Sequence, residues 1–205
     1  MDMNNIPEQP VSIPEEKPSQ EPSKSPMLRD LLDYLGIMVL ALCLVISLFS
    51  FSGLRLCTVD GDSMINTLYN GERLVTWGLF YSPQRNDIIV FHQTSEEYPS
   101  LNKPIVKRVI GLPGDTVYVN RMNQKATVID NNGNIVLSEE GLPGIPNSLY
   151  YSCYPVDDNH VFVMGDNRYN SLDSRSSQIG LVDQRRILGK VVFRLTPFSR
   201  MGTVS

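Results

Sequence analysis

The chain has 205 residues and a formal net charge of −4, so it carries no basic footprint for nucleic acid. Three cysteines make no disulfide framework, and two histidines without zinc spacing argue against a metal site, so neither metal nor cofactor is expected. Beyond the first 54 residues there remains enough chain for one sizeable β-rich core.

Residues 1–26 read as a disordered tail. Pro7, Pro10, Pro14, Pro18, Pro22 and Pro26 recur every three or four positions, which stops a helix. The Glu, Ser and Gln between them offer little to bury. Residues 27–54 read as one helix, entered through Arg29, Asp30 and Asp33 and left at Arg55. Its stretch 34–54 runs 21 residues without a charge. At ~1.5 Å per residue that crosses ~30 Å of hydrocarbon. A cleaved secretory signal has a shorter apolar core, of ~7–15 residues. A buried soluble helix is disfavoured because the run is apolar all round. The favoured reading is a permanent transmembrane anchor. Eight residues separate it from Ser63. At ~3.3–3.6 Å each, they hold Ser63 within roughly 30 Å of the membrane surface.

Residues 55–205 switch to short apolar runs between Gly, Pro, Asn and Asp turns. Strands are predicted at 87–91, 105–110, 116–120, 160–164 and 190–195, with a hairpin joining 128–130 to 135–137 around Asn131-Asn132-Gly133-Asn134. No helix of 3.6 periodicity follows the anchor. The fold class is mainly β: a compact antiparallel β-sheet catalytic domain preceded by one transmembrane helix. Cys43 falls inside the apolar run, while Cys57 and Cys153 are open to pairing.

Three segments carry chemistry. Ser63 lies in a Gly-Asp-Ser-Met turn, and a serine hydroxyl becomes a nucleophile only when a base takes its proton. His92 and His160 are candidate bases, each with a plain structural alternative as a loop or strand-edge residue. Lys107 is the third candidate, set among apolar strand residues where desolvation lowers an ammonium pKa. Its plain alternative is a strand lysine whose head reaches solvent. The dense polar segment 164–175 can be a self-satisfied loop, a support for a catalytic base, or both.

Taken together and in this order, the segments resemble those of bacterial type I signal peptidases, in a short Gram-positive-like form. Ser63-Met64 with Thr67-Leu68 resembles the family's nucleophile box, and 86–91 its second strand motif. Residues 107–115, Lys-Arg-Val-Ile-Gly-Leu-Pro-Gly-Asp, resemble the lysine box almost letter for letter. Gly165-Asp166-Asn167-Arg168, Asn170-Ser171 and Asp173-Ser174-Arg175 resemble the last box. The resemblance implies Ser63 as nucleophile, Lys107 as general base, and Ser171 as the hydroxyl that orients the Lys107 amine. Asp166 would pair with Arg108, and Asp173 with Arg175, as support. Met64 would line the substrate site. Many members have Pro where Asn66 stands, and some use a hydroxyl at the position of Gly61 as an oxyanion donor. The oxyanion here would rest on backbone N–H groups, including that of Ser63.

The resemblance further implies a serine endopeptidase cutting exported preproteins after small-x-small sites, with membrane lipid as a second partner. It implies a single-pass cytoplasmic-membrane protein, N-terminus inside and catalytic domain on the outer face, with residues 1–26 as a cytoplasmic tail. An apolar surface near the site would rest on lipid, and the extra β domain of larger relatives would be small or absent. Two other readings stay open. Ser100-Leu101-Asn102-Lys103 fits the Ser-x-x-Lys pattern of penicillin-binding proteins, although their Ser-Asp-Asn and Lys-Thr-Gly motifs do not occur. An anchored binding module with an inactive site is the other.

Overall fold

A computed structural model describes residues 26–51, 53–94, 98–141, 144, 146 and 149–204. The expected disordered tail lies outside them except for Pro26, which opens helix α1 (Pro26–Phe51). The chain divides into two compact units, 1–46 and 47–205. Within α1, Met27–Ser47 has a mean hydropathy of 2.0, and among the described residues it is the one helix long and apolar enough to cross a membrane. The apolar pattern carried the predicted helix to residue 54, but Leu54 already begins a strand. Gly53, at φ +68°, makes the turn between them.

From Leu54 onward the described residues form β-strands, with three short 3₁₀ turns among them. The strands are β1 (Leu54–Thr58), β2 (Arg73–Trp77), β3 (Ile88–His92), β4 (Pro104–Gly111), β5 (Thr116–Asn120), β6 (Ala126–Ile129), β7 (Ile135–Ser138), β8 (Tyr151–Pro155), β9 (His160–Met164), β10 (Val182–Asp183), β11 (Ile187–Thr196) and β12 (Gly202–Thr203). The main sheet runs β1-β2-β11-β3-β4-β9-β10, with β12 beside β11. A smaller sheet runs β7-β6-β5-β8. All pairings are antiparallel. The four strands of the smaller sheet all lie between β4 and β9 in the chain.

The central strand β3 explains why its sequence is continuously apolar rather than alternating. Ile88 and Val90 join one core with Met64, Leu68 and Leu74. Ile89 and Phe91 join another with Val109, Val161 and Val163. A strand covered on both faces needs apolar residues at every position. A third core, containing Ile110, Val117, Val128 and Phe162, seats the smaller sheet on β4 and β9. At that junction a Cβ on Gly111 would come within 2.6 Å of Val117, so the close approach requires glycine.

Candidate active site

Ser63 sits on a tight turn between β1 and β2. Met64, 1 % exposed, anchors that turn in the core, and its carbonyl accepts hydrogen bonds from the Thr67 and Leu68 N–H groups. Lys107 projects from the middle of β4, in register with Ile89 of β3. Its Nζ lies 2.6 Å from Ser63 Oγ and donates to the Val106 carbonyl at 3.0 Å. Lys107 is 4 % exposed. Burial pushes its pKa down to about 8. Asp173 and Asp166 pull it upward, and Arg175 opposes them. The plain alternative, a strand lysine reaching solvent, is therefore not what the fold makes. His92 meets Thr94 Oγ1 at 3.4 Å, and His160 Nδ1 meets the Asp158 carbonyl at 2.9 Å. Neither histidine lines the Ser63 cavity.

The loop 164–175 closes behind the lysine. Arg108 grips Asp166 with two bonds of 2.8 Å, and Thr67 Oγ1 donates to the same carboxylate at 2.5 Å. Burial pushes the Asp166 carboxyl up, but these bonds outweigh it and leave the pKa below the usual range. Arg175 grips Asp173 at 2.8 and 2.7 Å, and the Gly165 N–H adds a bond of 2.9 Å. There too burial raises and the bonds lower, with the net result below the usual range. Both carboxylates near Lys107 thus have a guanidinium partner of their own.

Ser171 departs from expectation. Its hydroxyl lies close enough to Asp173 to help lower that pKa, yet the buried Oγ meets no partner at hydrogen-bonding geometry. It packs on Gly165, where a Cβ would come within 2.2 Å of Ser171 Oγ and 2.5 Å of the Ser63 carbonyl. The Val106 carbonyl, not Ser171, is the fixed partner of the Lys107 amine. Cys57 and Cys153 are free thiols on different sheets, so the open pairing does not occur. Lys103 of the Ser-x-x-Lys pattern pairs with Asp60.

Several contacts were not among those expected from the sequence. Asn167 pins the nucleophile turn, its N–H donating to the Ser63 carbonyl and its Nδ2 to the Asp62 carbonyl, both at 3.0 Å. Arg168 donates to Glu139, just after β7, and Arg175 to Gln124 Oε1 at 2.8 Å. The Gly61 N–H is taken by Asn70 Oδ1 at 3.1 Å. The Ser63 N–H has no acceptor among the described residues. Asn167 lay within a quoted motif; Glu139 and Asn70 could be found only from the folded chain.

Ser63 and Lys107 open into a cavity of about 160 Å³ whose walls include Val59, Met64, Ile105, Leu172 and Ile179. Beside it β4 pairs with β3 along residues 104–108 but with β9 only from Arg108 onward, so the edge at 104–107 is open among the described strands.

A family model for signal peptidases, peptidase S26, matches residues 31–196. The chain is 33% identical over 199 residues to signal peptidase I of Leptolyngbya laminosa, covering 90% of this chain and 87% of the relative. It is 39% identical over 151 residues to a probable signal peptidase I-1 of Synechocystis sp., covering 70% and 72%. It is 35% identical over 175 residues to signal peptidase I S of Bacillus subtilis, covering 80% and 88%.

Proposed function

The chain belongs to the signal peptidases of peptidase family S26, and from that premise we propose that it cuts with a Ser63–Lys107 dyad. It is a serine peptidase that removes signal peptides from preproteins. The observation that carries the proposal is the 2.6 Å approach of a buried Lys107 Nζ to Ser63 Oγ. Neutral Lys107 takes the Ser63 proton as Oγ attacks the scissile carbonyl. The Ser63 N–H faces the developing oxyanion. The ammonium of Lys107 then gives its proton to the leaving amine. A water activated by the same amine releases the acyl group from Ser63.

The preprotein lies as an extended strand along the open edge of β4 at 104–107, where unpaired backbone groups receive it. The cavity beside Ser63 takes small side chains at the first and third positions before the cut. A preprotein ending in Ala-x-Ala, assayed in detergent, tests the dyad. Wild type cleaves at that junction, and Ser63→Ala and Lys107→Ala each lose at least about 10³-fold in kcat/KM. Cleavage that survives Lys107→Ala would remove the lysine from the mechanism.

Anchoring by α1 brings enzyme and membrane-held substrate into one plane, with the N-terminus inside and the catalytic unit on the outer face of the cytoplasmic membrane. Strand registers put Leu56, Val75 and Phe193 in one row and Leu54 with Trp77 in another, on a shared face. Leu56 is 64 % and nearby Phe80 95 % exposed. Apolar exposure of this extent fits a lipid surface. Phe80→Ser in a chain lacking residues 1–53 should weaken its flotation with phospholipid vesicles; unchanged flotation would contradict this.

A further inference from the structure

Apart from Lys107, the cavity beside Ser63 has two charged side chains on its walls, Asp60 and Lys103. Everything else there is apolar except Thr58 and Ser63. Lys103 Nζ lies 2.6 Å from Asp60 Oδ2, and both side chains are more than half exposed. They come from walls that are not neighbours in the sheet. Asp60 follows β1, an edge strand, and Lys103 immediately precedes β4, with three strands between the two in the sheet order. Asp60 stands three residues before Ser63, and Lys103 four before Lys107. At ~3.3–3.6 Å per residue, each lies within roughly 14 Å of the backbone that carries the reacting groups. The ion pair therefore bridges the mouth of the cleft within a few residues of the bond to be cut.

We propose that Asp60 and Lys103 form a clasp over the bound preprotein: the salt bridge opens to admit the peptide and closes across it. The proposal rests on the reading of Ser63 and Lys107 as the cutting centre. A strand received between two walls needs them about 9.5 Å apart, two strand spacings of ~4.7–4.9 Å. The flexible four-carbon stem of Lys103 suits a bridge across such a gap. Exposure suits it too. A buried pair would be locked by the cost of separating its charges, whereas a solvated pair opens easily and is screened by salt. A clasp holds the ground state and the transition state alike, so it acts on KM and leaves kcat in place.

The test is steady-state cleavage of an Ala-x-Ala preprotein in detergent, at low and at high salt. The enzymes are wild type, Asp60→Asn, Lys103→Met and the swap Asp60→Lys with Lys103→Asp. Matching thermal unfolding curves establish that all are folded. Each single variant should raise KM about three- to fivefold with kcat within about twofold, the range of an exposed ion pair. The swap should restore KM. In wild type KM should rise with salt, and in the single variants it should not. A KM unchanged or lowered in the single variants, or a swap that fails to restore it, overturns the clasp. An inactive wild type, or activity surviving Ser63→Ala, would instead strike the dyad on which the clasp rests.

Discussion

Lys107 and Lys190 occupy one row of the main sheet, on either side of Ile89 in β3, and the protein treats them oppositely. Lys190 of β11 has a 37 % exposed side chain and pairs with Asp87 at 2.6 Å. Lys107 is buried and touches a serine and a carbonyl, with no carboxylate in contact. One lysine is a paired cation; the other is driven toward the neutral amine that a base requires. What separates them is burial first and the placement of arginines second. Asp166 and Asp173 both act on Lys107, and each is already held by a guanidinium, Arg108 or Arg175.

The largest effect that would break this contrast comes from freeing one of those carboxylates. Arg175→Met should leave the Asp173 charge stranded in the core and cost about 3–5 kcal/mol, measured by chemical denaturation. It should also move the acid limb of kcat/KM upward by about one pH unit, because Lys107 loses a cation and faces an unpaired anion. A destabilised enzyme with an unmoved limb would show that the arginine only supports the loop.

A smaller effect sharpens the contrast through stability. In the unfolded chain Lys107 keeps its proton up to its ordinary range; in the folded chain it does so only to about 8. The unfolded state therefore binds more protons above pH 8, and wild-type stability from this group rises with pH until the ordinary range is reached. At pH 7 the buried ammonium is a liability. Lys107→Met should be about 1–3 kcal/mol more stable than wild type there, while losing activity. Lys190→Met should go the other way, losing roughly 1–2 kcal/mol, since Asp87 keeps the Tyr81 hydroxyl and the Gln84 N–H but not its cation. Equal effects from the two variants would erase the distinction.

The sequence made some of this legible and hid the rest for physical reasons. β5 and β9 were predicted to the residue, because their apolar runs end at sharp turn signals. β2 and β8 carry mixed polar and apolar residues and were missed, and β10 and β12, at two residues each, are too short to show a period. Ser63 and Lys107 stood out as residues within local motifs, whereas the ion pairs Arg108–Asp166 and Arg175–Asp173 came from the family resemblance those motifs carry. The partner of the Lys107 amine did not stand out. A backbone carbonyl one residue away leaves no trace in side-chain identity, so Ser171 was expected where Val106 serves. The brace from Glu139, just after β7, holds Arg168 of the loop after β9 across 29 residues and is fixed by topology alone.

The pH dependence of kcat/KM for an Ala-x-Ala preprotein addresses the central claim most directly. The account predicts activity that falls about tenfold per pH unit on the acid side, with an apparent pKa near the value of about 8 that burial gives Lys107, and a plateau above it. A flat profile through that region, or a limb near the ordinary histidine range of ~6.5, would contradict a lysine base.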